Sequence, residues 1–123
     1  MNLKYQTKDN CFETCLSILL DIPVEEIPEI PDKNWHVAIN EWLRPLGKWF
    51  LCFALPDDSN ILKKYMGYHL IMGDSTRGVR HAVLGYNGEI YHDPYLLGDG
   101  ILKGNIEYGV LVDTGEIKYG NNG

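Results

Sequence analysis

The apolar residues of this chain keep one spacing up to Gly47 and another beyond it, and that change limits the possible folds more than any single motif does. Phe12, Cys15, Leu16, Leu19 and Leu20 recur at intervals of three and four, the stripe of a helix that buries one side. Asp9 or Asn10 can cap this helix at about Cys11. Glu13 falls in its first turn, where the positive end of the helix dipole favours an acid. Asp21-Ile22-Pro23 ends it, and Pro23-Val24-Glu25-Glu26-Ile27 reads as a short helical turn closed by Pro28 and Pro31. A second amphipathic helix starts at Asp32 or Asn34 and turns Trp35, Ala38, Ile39, Trp42 and Leu43 inward. Pro45 and Gly47 stop it.

Beyond Gly47 the pattern is one of short strands: Lys48 to Leu55, Tyr68 to Met72, Arg80 to Tyr86, Glu89 to His92 and Ile106 to Asp113. Asn87-Gly88 is a strong two-residue hairpin turn. A short helix is expected over 60–65, and a last short strand after Thr114-Gly115. The expected class is α+β, with N-terminal helices packed on a small antiparallel sheet. A chain of 123 residues that is 45% apolar suits a single domain, here 1–119, with 120–123 as a flexible tail.

Charge excludes some functions. Eleven basic residues face seventeen acidic ones, for a net charge of −6, which disfavours nucleic acid and anionic membrane surfaces as partners. No apolar run reaches the roughly 18 residues of a spanning helix, and the first six residues lack the apolar stretch of a signal peptide. These features predict a cytoplasmic setting. The three cysteines, Cys11, Cys15 and Cys52, are an odd number, so at least one free thiol is expected rather than a disulfide framework.

Cys11 opens the first helix after a polar loop. A thiol there feels unpaired backbone N–H groups, which favour the thiolate that a nucleophile needs. The same residue also fits a small buried hydrophobe. Cys15, one turn on, reads as core. Cys11 and Cys15 could form half of a zinc site, but ten residues separate His81 from His92 and His36 and His69 are distant, a poor second half.

The hairpin across Asn87-Gly88 predicts the pairs Tyr86 with Glu89, Leu84 with Tyr91 and Ala82 with Asp93, which makes His81 and Asp93 near neighbours. A carboxylate beside an imidazole fixes its tautomer, as a Cys–His pair requires; a surface ion pair of little energy is the other reading. His36 reads as structural or surface, His69 as a satisfied half-buried histidine and second candidate base. His92 is expected on the face opposite Asp93. Trp35, Trp42 and Trp49 read as core, and the glycine-bounded loop 73–78 as a groove wall or a plain surface loop.

Gln6, Asn10, Cys11, Cys15 and Leu16, followed by His81-Ala82-Val83 and Asp93-Pro94, resemble in order the papain-like cysteine peptidase superfamily. The match is nearest to its small bacterial C39-like branch, which includes bacteriocin-leader peptidase domains. The resemblance implies Cys11 as nucleophile, His81 as base and then acid, and Asp93 as the group that orients it. It also implies an oxyanion hole from the Gln6 amide and the Cys11 backbone N–H. Phe12 stands where the family usually has glycine, and Asn10 where it usually has aspartate. The expected activity is hydrolysis of a peptide or small amide by a cysteine-dependent hydrolase, with no cofactor and no metal. A non-enzymatic, phage-encoded binding or sequestering protein on the same scaffold is the alternative, and a zinc-stabilised module is a third.

Overall fold

A computed structural model describes residues 1–56 and 63–114. Helix α1 spans Cys11–Leu20 and α2 spans Trp35–Leu43, each followed by a 3₁₀ turn, Val24–Glu26 and Arg44–Leu46. Five strands follow: β1 Lys48–Phe53, β2 Tyr68–Asp74, β3 Arg80–Tyr86, β4 Glu89–His92 and β5 Glu107–Asp113. They form one antiparallel sheet in the order β1-β5-β2-β3-β4. The α+β expectation therefore holds: two helices pack on a small antiparallel sheet. Residues 60–62 of the helix expected over 60–65 lie outside the described residues, as do the last strand and the tail. Among the described residues no helix is long and apolar enough to cross a membrane.

The pleat sends alternate residues to opposite faces, and the two central strands bury both. Phe50, Leu70, Met72, Ala82 and Leu84 meet Cys15, Leu16, Ile18, Ile39 and Leu43 of the helices in the larger core. The intervening Ile71, Val83 and Tyr108 form a second core with Phe53, Leu55, Met66, Ile101 and Ile106. Trp49 departs from expectation. It sits beside inward-facing Phe50 on edge strand β1, so alternation turns it outward, where it is 42% exposed.

Phe50 anchors the junction of helices and sheet. Its ring lies against Phe12 and Trp35, with centroids 5.5 and 6.1 Å away. A Cβ on Gly109 of the neighbouring strand would fall 2.1 Å from Phe50 Cζ, so only glycine leaves room for the ring there. On the outer edge of β1, buried Asn40 of α2 accepts the Phe50 N–H at Oδ1 (2.7 Å) and donates Nδ2 to the Phe50 carbonyl (3.2 Å). One side-chain amide thus replaces a missing strand.

The β3–β4 hairpin turns at Asn87 and Gly88, both at positive φ. Its register departs from the predicted one. Tyr86 pairs with Glu89 and Gly85 with Ile90, but an irregularity between Leu84 and Gly85 puts Leu84 opposite His92, not Tyr91. A bulge adds one residue to one strand, so the predicted Ala82–Asp93 pairing is displaced by one position.

Candidate functional site

Asn10 is the N-cap of α1, but its side chain makes no cap bond. Its Oδ1 accepts the N–H groups of Thr7 (3.3 Å) and Lys8 (3.4 Å), folding the polar loop back beside the helix start. Cys11 then begins the helix, half-buried. Its Sγ accepts the backbone N–H of Ala82 at 3.4 Å, and the Cys15 thiol donates to the Ala82 carbonyl at 3.7 Å. Two sulfurs one helical turn apart therefore grip both backbone groups of one small β3 residue, which fixes Cys11 beside His81.

Burial pushes the Cys11 thiol above its ordinary range. Hydrogen bonds from the N–H groups of Ala82 and Phe12 oppose that rise, Glu13 adds to it, and the nearby Arg77 charge opposes it. Desolvation thus outweighs the helix start that favoured a thiolate in the sequence. Cys15, fully buried, is raised further, again chiefly by burial.

His81 is 2% exposed. Its Nε2 lies 2.7 Å from Asp93 Oδ1. Asp93 is held in turn by the N–H of Tyr95 on Oδ1 and the N–H of Gly100 on Oδ2, both at 2.9 Å. The pairing survives the bulge because β4 ends at His92 and Asp93 lies beyond the ladder, where the loop rather than the register aims its carboxylate. The other ring nitrogen, Nδ1, lies 3.3 Å from an Nη2 of Arg77. Arg77 also donates from Nε to Asp99 Oδ2 (2.7 Å) and stacks 3.8 Å above the Tyr95 ring. The sequence reading passed over Arg77, Tyr95 and Asp99. Their only signal was an arginine in the glycine-bounded loop before the His81 strand.

A cleft of about 320 Å³ opens beside these groups, lined by Cys11, His81 and Ala82 together with apolar Phe12, Ile30, Pro31, Trp35 and Met72. Asp9, Glu13, Asp32 and Glu107 also line it, against a single cation, Arg80. Arg80 is bonded to Glu107 at 2.9 Å. Phe12, where the resembled family usually has glycine, is both cleft wall and packing partner of Trp35 and Phe50.

Gln6 is placed beside the site by its backbone N–H, which donates to the Pro94 carbonyl at 2.8 Å. Its side-chain Nε2 donates to the Lys8 carbonyl at 3.0 Å, its Oε1 is buried without a partner, and it is not among the residues lining the cleft.

The other histidines are elsewhere. His69 is fully buried, with Nδ1 3.1 Å from the Leu70 carbonyl and Nε2 accepting the Gly88 N–H at 3.0 Å. Both nitrogens are engaged, which leaves it no part as a base. His92 binds the Lys4 carbonyl, and exposed His36 stacks on Trp35. One group of potential metal ligands occurs among the described residues: atoms of His81, Asp93 and Asp99 lie within 4.8 Å of one another. Arg77 contacts two of the three and already supplies the positive charge a metal would bring.

Compared with known proteins, the chain matches no family model, no curated sequence and no solved structure.

Proposed function

We propose that the chain is a cysteine-dependent acyl hydrolase that cleaves a peptide or small amide at the Cys11–His81 cleft. One observation carries the reading: His81, paired with Asp93 at 2.7 Å, lines the same cleft as Cys11, whose sulfur takes the N–H of the residue next to His81. His81 Nδ1 takes the Cys11 proton as Sγ attacks the carbonyl carbon. The resulting oxyanion is met by N–H groups at the start of α1, which have no partner within the helix. Collapse breaks the C–N bond, and Nδ1 gives its proton to the leaving amine. Water then attacks the thioester, loses a proton to Nδ1, and the acid leaves as Sγ is reprotonated. Asp93 holds the Nε2 proton throughout and stabilises the imidazolium. Apolar cleft walls and four carboxylates against one arginine favour an apolar substrate carrying positive charge.

The test is a panel of cationic and neutral peptide amides, with acyl-enzyme trapping read by peptide mass. A thioester on Cys11 is expected, lost in Cys11→Ala, with turnover lowered about 10²–10⁴-fold in His81→Ala. Turnover unchanged in Cys11→Ala would sink the proposal.

A specific observation favours a second reading, a ligand-binding protein on this scaffold: Arg77 sits on the His81 nitrogen that would accept the Cys11 proton, and burial raises the thiol. Ligand retained through purification, with no acylation of Cys11 by any panel member, would decide for it.

A further inference from the structure

An imidazole has two nitrogens, and here only one is left for the proton of Cys11. Nε2 is engaged by Asp93 at 2.7 Å, so Nδ1 must be the acceptor. Arg77 Nη2 stands 3.3 Å from that same Nδ1. A guanidinium is a donor at every accessible pH and never an acceptor. The contact therefore requires a lone pair on Nδ1, which makes the ring neutral with its proton on Nε2.

The arginine is held firmly. Its Nε donates to Asp99 Oδ2, which also accepts the Thr76 hydroxyl at 3.3 Å, and its plane stacks on Tyr95. Tyr95 and Gly100 bracket that anchoring loop and donate their N–H groups to the two oxygens of Asp93. The carboxylate that orients one side of His81 thus also ties down the loop that aims Arg77 at the other.

We propose that Arg77 is a positioning residue that holds His81 in the Nε2–H tautomer and opposes protonation of Nδ1. The inference rests on the Cys11–His81 reading. Once the thiol proton reaches Nδ1, two donors and two positive charges face each other there. The remaining groups about the pair are Asp93 at Nε2, Asp99 behind the guanidinium, Tyr95 at the ring edge, and Glu13 and Cys15 near the thiol. The contact therefore works against a thiolate–imidazolium pair at Cys11 and His81. Transfer requires Nη2 to leave Nδ1, against the Asp99 and Tyr95 contacts that hold the guanidinium.

The test measures iodoacetamide alkylation of Cys11 from pH 6 to 10, read by peptide mass, in wild type, Arg77→Ala, Arg77→Lys, His81→Ala and the Arg77→Ala/His81→Ala double variant. Nitrogen NMR of His81 runs alongside. Wild type should show neutral imidazole protonated at Nε2. The Arg77 charge by itself favours the thiolate, but freeing Nδ1 should outweigh its loss, so Arg77→Ala should speed alkylation near pH 7 about tenfold, equivalent to a fall of one unit in thiol pKa, and the gain should vanish in the double variant. Lysine cannot bridge Asp99 and Nδ1 together, so Arg77→Lys should give much of the same gain while keeping the charge. An equal slowing by Arg77→Ala with and without His81 would show only a through-space charge on the thiol and overturn the proposal. A wild-type His81 protonated at Nδ1 would overturn it independently. If His81→Ala leaves Cys11 unchanged while the Nε2–H tautomer depends on Arg77, the Cys–His reading fails and the positioning role stands.

Discussion

His69 and Cys52 show how burial and a single neighbour set the behaviour of one side chain. Burial holds His69 below its ordinary value of 6.5, and its contact with the Leu70 carbonyl only partly opposes this. The unfolded chain then binds the proton first. The stability from keeping His69 neutral is present above pH 6.5 and is lost as pH falls towards the folded value. In urea unfolding, the stability difference between wild type and His69→Asn should shrink as pH is lowered from 7.5 to 5; a constant difference would contradict the assignment. Cys52 is the opposite case. Burial, then the hydrogen bond to Glu107 at 3.3 Å and its charge, pushes the thiol from 9.0 up to about 12, with Arg80 opposing. Its stabilising share is present below pH 9 and is lost as pH rises towards 12. Alkylation of Cys52 at pH 9 should therefore be far slower in the native protein than in the unfolded chain, and Glu107→Gln should narrow that gap.

The hairpin strands followed local rules closely, and their register did so only as far as Gly85. The bounds of β3 and β4 agree with those expected, because Asn87-Gly88 supplies the two positive φ angles that a tight hairpin needs. The bulge at Leu84/Gly85 carried no such signal. A Cβ at Gly85 would fall 2.6 Å from His69 Cε1 and 2.8 Å from Ile71 Cδ1, a crowding set by β2 rather than by the hairpin's own residues. Asn40 was equally silent: within an amphipathic helix pattern it reads as a polar residue, yet it completes the free edge of β1. Asn40→Ala should leave the buried N–H and C=O of Phe50 without that partner and cost about 1–3 kcal/mol, measured by denaturant unfolding. Asn40→Asp should restore the acceptor but not the donor. A neutral Asn40→Ala would show that the edge needs no cover.

Across the whole molecule, β2 and β3 belong to two cores at once, which couples the two sides of the sheet. Leu84 faces the helices and Val83 the loops. Leu84→Ala should cost about 2–5 kcal/mol. Val83→Ala should lower the same single transition, followed equally by circular dichroism and by fluorescence of Trp35, Trp42 and Trp49 on the α2–β1 side. Two separated transitions would mean that the cores unfold independently. The sequence alone determined the helices, the strands and their turns, since spacing, caps and Gly/Pro punctuation act over a few residues. It also singled out Cys11, His81 and Asp93, because a helix start and a hairpin place their neighbours locally. Tertiary structure alone decided that burial outweighs the helix start at Cys11, that the Gln6 amide faces Lys8, and that Arg77 occupies His81 Nδ1. Desolvation and contacts between residues on separate elements depend on how those elements pack, and no local pattern records that.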